Sequence, residues 1–394
     1  MNILYLLNEF PKISESFIIN EIYELEKRGH DITIISFRKN KSTVQHDEFE
    51  QLNATVWYLP APGIDSAFNT IGKWINIGEA QRQFRTLSAK QAIGSAYIAG
   101  NIHSVIQTLE CNPDHVHTHF FDWPKFALGY LQFDVPTSIT AHAFGLFAEG
   151  TNNQRRALAK YVDRIVTISE YNQKYLCDTV GVQTPVDTVR MGIRPNKFEP
   201  TTQNTPGRLL TVARFVDKKG IKYAIDAVAH LVEEYPEIEY HLIGTGPREN
   251  AIRNRIHDQE IEEHVSMLNT VSDKRLIKEL DEASMFLLPC VVASDGDRDG
   301  IPVALMEAMA MEVIPISTSI SGIPELIDNG TNGLLSSPRD AQAISALVRK
   351  ILENPQDGVK IADNARQTIV EQYNAANLGK NMERIFKECR DGYK

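Results

Sequence analysis

Cysteine is scarce in this chain: Cys111, Cys177, Cys290 and Cys389 are the four in 394 residues. They are scattered and share no metal-ligand spacing, which excludes a disulfide scaffold and fits reduced thiols in a cytosolic protein. Basic charge is short as well. Lys and Arg number 41 against 51 Asp and Glu, a formal net charge of −10. Non-specific nucleic-acid binding needs a basic footprint, so that class is excluded. The deficit is uneven. Residues 1–200 carry 19 basic and 21 acidic side chains, and residues 201–394 carry −8 of the −10. A near-neutral first half is compatible with an anionic membrane surface; the acidic second half is not. Long apolar runs are missing. The longest is Met285 to Ala293, interrupted by Pro289, far short of the ~20 residues a helical span needs. The start, MNILYLLNEFPK, has no basic leader region and no cleavage site, so it is not read as a signal peptide.

What is present is an ordinary globular composition, 42% apolar and 23% charged, on a chain long enough for two domains. Strand-length apolar runs alternate with helix-period stretches. Asn2–Leu7 and Asp31–Phe37 read as strands. Between them lies a helix capped by Ser14 or Ser16, with Phe17, Ile18, Ile22 and Leu25 on one face and Gly29 at its stop. Weaker strand signals follow at His115–Thr118, Thr137–Thr140, Arg164–Ile168 and Thr188–Met191. Residues 194–207 are rich in Pro, Asn and Thr, a linker composition. The alternation then restarts with strands at Leu209–Ala213, Glu239–Ile243, His264–Leu268, Ser284–Leu288 and Val313–Ile316, and a helix at Lys222–Val232. This pattern predicts an α/β protein with two doubly wound, Rossmann-like domains facing across a cleft: 1–193, and 208–376 after the linker. An amphipathic final helix, 377–394, crosses back to the first domain. Ligands of such sheets bind at the carboxyl ends of the strands.

Four motifs fall at those ends. Arg214 and Lys219 flank the strand-to-helix turn ARFVDKKG. An arginine fork, a lysine point charge and a helix N-terminus together suit a diphosphate, although a solvated basic turn has the same composition. Gly244-Thr245-Gly246 follows the next strand and resembles half of a dinucleotide fingerprint, with Glu249 where the third glycine belongs. The densest stretch, SDGDRDGIPVALMEAM at 294–309, sets Asp299 at a helix mouth and Glu307 one or two turns further in. Amides at Gly300, Ile301 and Val303 near the first turn can donate to sugar or phosphate oxygens, and the carboxylates can accept from paired hydroxyls. Rival readings are a calcium loop, whose final glutamate comes one residue late, a metal-binding Asp295-x-Asp297, and a solvated acidic loop. Glu307 fits the last reading poorly, because it stands in an apolar helix. His142 ends the strand at 137–140. There it either hydrogen-bonds a substrate or is a satisfied core histidine. His115, His117 and His119 alternate along one strand and face one way. No carboxylate or cysteine is spaced with them, so their role reads as structural, and no metal ligand is assigned.

In this order the motifs resemble glycosyltransferase family 4, of the two-domain GT-B type. The likeness rests on NEFPKISESFI at 8–18, DHVHTHF at 114–120, ITAHAF at 139–144, RIVTISEYN at 164–172, LLTVARFVDKKG at 209–220, HLIGTGP at 241–247, RDGIPVALMEAMA at 298–310 and SGIPELIDNGTNGLL at 321–335. The stretches NEFPKISESFI and DGDRDGIPVALMEAMA, at 8–18 and 295–310, further resemble a subgroup involved in bacterial exopolysaccharide assembly. The resemblance implies a cytoplasmic, retaining transferase that needs no metal and no cofactor. Its partners would be a nucleoside-diphosphate sugar and a hydroxyl acceptor. It implies that Arg214 and Lys219 hold the donor diphosphate and Glu307 the ribose. Gly244 and Gly246 belong to the donor side, and Leu268 lies in the stretch lining the base. Asp299 and the amides at 300–303 would face the transferred sugar, and Pro302 has no N–H to give. His142 would lie near the reactive carbon, and Phe10, Pro11, Ser14 and Ser16 near the acceptor.

Two positions depart from the family pattern. Asp299 stands where the family usually has glutamate, one methylene longer, so a direct hydroxyl contact becomes water-bridged or selects another sugar. Arg194 stands two residues after Gly192, where aspartate is frequent. A non-catalytic nucleotide-sugar binder, a GT-B epimerase and a metal-dependent transferase are the competing functions. The segment Gly72–Lys90 carries four basic residues with Trp74, Ile75 and Phe84. It reads equally as a membrane-surface contact or an ordinary exposed helix.

Overall fold

The computed structural model describes residues 1–12, 15–39, 47–60, 76–201 and 204–393. Ser14 and positions 72–75 of the basic segment lie outside them. The chain folds into two compact units, Met1–Arg190 with Ala375–Lys394, and Met191–Asn374.

The first unit has seven parallel strands in the order β3-β2-β1-β4-β5-β6-β7. They are β1 (Asn2–Leu7), β2 (Asp31–Ser36), β3 (Thr55–Tyr58), β4 (His115–His119), β5 (Thr137–Ala141), β6 (Arg164–Thr167) and β7 (Val186–Thr188). The central strands are buried on both faces, apolar in β1 after Asn2 but with buried His, Thr and Ser in β4 and β5. Leu4 and Leu6 of β1 enter one core with Val116, Ile139 and Ile102. Ile3, Tyr5 and Leu7 enter the other, with Ile18, Ile22, Met382 and Phe386. That second face is covered in part by α1 (Ser16–Lys27), while α3 (Ala89–Leu109), which follows α2 (Ile77–Phe84), supplies part of the first. The register Ile3↔His115 and Tyr5↔His117 puts the three histidines of β4 on the face of Ile3 and Tyr5.

Two readings need correction. Glu15, not a serine, precedes α1 as its cap, without a side-chain cap bond, and Ser16 is already its first residue. The helix is held by its buried face instead. The last strand runs Val186–Thr188 rather than 188–191, because it must pair with Ile165–Thr167 of β6.

The second unit has six parallel strands in the order β10-β9-β8-β11-β12-β13. They are β8 (Arg208–Val212), β9 (Glu239–Ile243), β10 (Val265–Leu268), β11 (Met285–Leu288), β12 (Ile314–Thr318) and β13 (Leu334–Ser336). Helices α4 (Ile221–Ala229) and α5 (Val303–Ala310) follow β8 and β11. The Pro-rich stretch from 194 is pinned to this unit. Phe198 is buried, its carbonyl accepts from Arg366 at 2.7 Å, and Lys197 pairs with Asp273 at 2.5 Å.

The chain returns to the first unit as α6 (Ala375–Gly392), which buries Leu378, Met382, Ile385 and Phe386. The Phe386 ring lies 4.3 Å from that of His115 and 5.1 Å from that of His117. Phe386→Ala should therefore cost the first unit about 3–5 kcal/mol. Guanidinium unfolding followed by a reporter in each unit should show an earlier transition in the first and an unmoved one in the second.

Candidate functional site

In each sheet the strand order reverses beside the first strand, between β1 and β4 and between β8 and β11. A crevice opens at such a point because the flanking connections leave in opposite directions. In the second unit the loops after β8 and β11 meet there at backbone contact. Gly220, with φ +65°, turns the chain into α4, and a Cβ at that position would stand 1.9 Å from the Pro289 carbonyl oxygen. The amide of Val291 donates to the carbonyl of Lys218 at 2.8 Å. Only glycine permits this approach.

That contact gathers charge. Lys219 Nζ lies 2.7 Å from Asp299 Oδ2, and Lys218 Nζ lies 3.5 Å from Asp299 Oδ1 and 3.1 Å from Asp297 Oδ1. The Cys290 thiol donates to Asp299 at 3.5 Å. Burial alone raises the carboxyl's pKa, but Lys219 and Lys218 outweigh it and hold Asp299 below its usual range. Burial lowers the ammonium's pKa likewise, and Asp299 reverses this, so Lys219 is held above its usual value. The structure thus brings Lys219 and Asp299 together. It adds Lys218 and Cys290, which the sequence reading passed over. Lys218 was hidden in a run of two lysines, and Cys290 in an apolar strand end.

The other donor-side residues stand around this pair. Arg214 is exposed in the same loop. Gly244, with φ +144°, and Gly246 pack on that loop. A Cβ at either would stand 1.9 Å from the Ala213 oxygen or 2.5 Å from the Phe215 oxygen. The Phe215 amide donates to Thr245 O at 2.9 Å, and the Gly244 amide to Leu268 O at 3.1 Å. The two glycines therefore permit a loop-against-loop contact. Gly300 and Ile301 are buried ahead of α5, Pro302 caps it, and Val303 begins it. Glu307 is half-buried on α5, between buried Met306 and Ala308. The Asp295 side chain accepts from the Asp297 amide at 3.0 Å, and Asp297 is paired with Lys218.

At the switch point of the first unit, sequence reasoning missed a buried polar group. Lys125, 1% exposed, donates to Asn8 Oδ1 at 2.6 Å and to Asp122 Oδ1 at 3.1 Å, and Asn8 donates to Asp122. Lysine is rarely buried without such partners; Asp122 is three residues away, but nothing in the local sequence marks Asn8 as their neighbour. His142 is 5% exposed. Its Nε2 lies 3.0 Å from His119 Nδ1, and its ring lies 4.6 Å from Phe17 and 4.9 Å from Phe120. Burial drives its pKa well below the usual value, so it is a neutral imidazole. Phe10 is a core side chain, edge-on to Phe49 at 5.7 Å, and Pro11 follows it across a cis peptide bond.

Two family models match the chain: glycosyltransferase family 4 over residues 14–197 and glycosyl transferases group 1 over residues 193–368. The chain is 38% identical over 410 residues to the amylovoran biosynthesis glycosyltransferase AmsK of Erwinia amylovora, spanning 95% of this chain and 96% of that protein. It is 26% identical over 414 residues to the putative colanic acid biosynthesis glycosyltransferase WcaL of Escherichia coli strain K12, spanning 98% and 100%. Anabaena Alr3699/HepE, solved in complex with UDP and glucose, superposes with a TM-score of 0.76 at 16% identity, over 98% of this chain and 100% of that one. Sucrose-phosphate synthase from Thermosynechococcus elongatus gives 0.77 at 15% identity, over 98% and 99%. At such identities the structural likeness speaks for the fold.

The Lys219–Asp299 pair makes the second unit's stability depend on pH. A depressed carboxyl contributes above its usual 3.8 and loses that contribution as pH falls through its lower folded value. A raised lysine contributes below 10.5 and loses its share as pH rises through its higher folded value. Asp299→Asn should therefore destabilise this unit by about 3 kcal/mol at pH 7, by leaving Lys219 without its partner. The loss should shrink below pH 4 and above pH 11, in urea titrations across that range.

Proposed function

Because the chain belongs to the group 1 and family 4 glycosyltransferases, we propose that it moves a sugar, with retention, from a nucleoside-diphosphate donor to a hydroxyl acceptor during exopolysaccharide assembly. The observation that carries this reading is the half-buried Lys219–Asp299 pair at the switch point of the second unit, 2.7 Å across. It sets a fixed cation and a hydroxyl acceptor side by side where a sugar diphosphate needs both. AmsK and WcaL, by name, belong to amylovoran and colanic acid synthesis, which supports the polysaccharide context. The solved relative with UDP and glucose favours a UDP-sugar as the first donor to try.

In the proposed reaction the bond between the sugar and the diphosphate breaks, and negative charge grows on the leaving phosphate. Lys219 and exposed Arg214 stabilise that charge more than they stabilise the bound donor. A diphosphate competes with Asp299 for the Lys219 ammonium, which releases the carboxylate to accept from a sugar hydroxyl. Glu307 accepts from the ribose hydroxyls, and the first-turn amides beside it donate to the sugar. The acceptor oxygen bonds to the reacting carbon on the face the phosphate leaves, and a phosphate oxygen takes the acceptor's proton. His142 adds a neutral imidazole. With Nε2 beside His119, its Nδ1 is the atom to offer a hydroxyl. The diphosphate needs no metal counter-ion in this scheme, because lysines supply the charge. An Asp-x-Asp metal centre is disfavoured, since Lys218 already pairs with Asp297.

The free cysteines fit a reducing cytoplasm. No helix among the described residues is long and apolar enough to cross a membrane. Ile77 and Phe84 are 70% and 52% exposed on α2, with Arg82, Arg85 and Lys90 exposed beside them. This face suits contact with an anionic lipid surface. Sedimentation with phosphatidylglycerol vesicles should show salt-sensitive binding that Ile77→Ser with Phe84→Ser weakens several-fold. Binding to neutral vesicles alone would refute the contact.

A donor screen tests the reaction itself. UDP-, GDP-, ADP- and dTDP-sugars are offered in chelator, and thermal shift and sugar release are read. One nucleotide should stabilise the wild type. Lys219→Ala should lose at least about a hundredfold in turnover, the scale of removing one preorganised charge. Glu307→Ala should mainly weaken donor binding. Turnover that appears only on adding a divalent ion would overturn the metal-free scheme.

A further inference from the structure

The three histidines of β4 looked structural because no carboxylate is spaced with them in the sequence. The fold supplies one. Glu21 of α1 lies under the same face of the sheet, and Glu21, His117 and His119 form a group whose ligating atoms all lie within 4.8 Å of one another. From Glu21 Oε1 it is 3.3 Å to His119 Nε2 and 3.6 Å to His117 Nε2. The edge of a tetrahedron around zinc, at bond lengths of about 2.0–2.1 Å, is roughly 3.3–3.4 Å. The two edges from Glu21 are therefore close to the spacing that one ion would impose, and the edge between the histidines is at most 4.8 Å.

The surroundings have the form of a ligand shell. All three residues are buried, at 3%, 0% and 1% exposure. His119 Nε2 has no hydrogen-bond partner, while its Nδ1 is 3.0 Å from His142 Nε2. His117 Nδ1 and His115 Nε2 each lie 2.7 Å from the single hydroxyl of Ser138. That hydroxyl can accept from His117 and donate to His115, which leaves the lone pair of His117 Nε2 toward Glu21. Tyr5 donates to Glu21 Oε1 at 2.7 Å and fixes the carboxylate. Oriented imidazoles and an anchored carboxylate are what a bound ion needs around it. An incoming ion displaces the Thr140 hydroxyl, 3.1 Å from His117 Nε2. Among the described residues, the ion pairs drawn to Glu21 are with these two histidines.

We propose that Glu21, His117 and His119 bind a structural divalent transition-metal ion, of the zinc class, that ties α1 to β4 inside the first unit. It is distinct from any counter-ion of the donor, whose proposed residues belong to the second unit.

The test uses the full chain with any affinity tag removed. Chelator-treated protein is titrated with Zn2+ and with Co2+, and the metal retained after desalting is measured. Wild type should retain one equivalent of zinc. Its first-unit melting temperature should rise by about 5–10 °C at a hundredfold excess over Kd. Its cobalt form should show the visible bands of a four-coordinate site. Glu21→Gln and His119→Gln should lose all three responses while keeping wild-type circular dichroism. A wild type that retains no zinc, shows no shift and gives no cobalt bands sinks the proposal. Undiminished binding in Glu21→Gln sinks it as well. Should the variants fail to fold, the wild-type cobalt spectrum alone decides the matter.

Discussion

The second unit's chemistry depends on one steric fact: the backbone of Gly220 lies against the carbonyl of Pro289 with no room for a side chain. This contact joins the loops leaving the two strands at which the sheet order reverses. It brings two lysines from one loop onto two aspartates from the other. The glycines at 244 and 246 repeat the arrangement one strand along, closing a third loop onto the first. The cations are thus fixed before any ligand arrives, and preorganised charge is the kind that lowers a barrier. Replacing either aspartate would disturb a structural tie as well as a polar contact.

Much of this architecture could be read from the residues. Buried parallel strands are rich in apolar residues, so Asn2–Leu7, Glu239–Ile243 and Met285–Leu288 announced themselves. Thr55–Tyr58 and Leu334–Ser336 did not, because they are short edge strands. The start of α1 misled for another reason. Serine caps are a local preference, and this helix is held by the burial of Ile18, Ile22 and Leu25 instead. In the candidate site, the lysine, the aspartate and the glycines stood out as motifs. What each one touched did not. The GxG glycines read as a close backbone approach or a turn, and the structure sets the loop carrying Ala213 and Phe215 against them.

The charged and polar groups that went unread share one property. Their partners come from distant parts of the chain. Glu21 meets His117 and His119 only when α1 packs on β4. Lys125 is satisfied by Asn8 across the first switch point. Periodicity reports which face of an element is buried, but it carries no information about which polar side chain lies opposite. Such pairs become visible only once strand order and register are known. The buried histidines illustrate the cost of stopping early, since a row of three with no spaced ligand is bland until its neighbour is in place.

The first unit is assembled from both ends of the sequence, residues 1–190 and 375–394. Its core includes Leu378, Met382, Ile385 and Phe386. During synthesis α1 can cover its share of this face early, but the part that Phe386 covers over His115 and His117 stays open until the whole second unit has been translated. The later-made unit, continuous in sequence, can therefore finish folding on the ribosome before the earlier one. A nascent chain of this design carries an unfinished core in its first unit through most of its elongation, and that core closes only when the last helix is made.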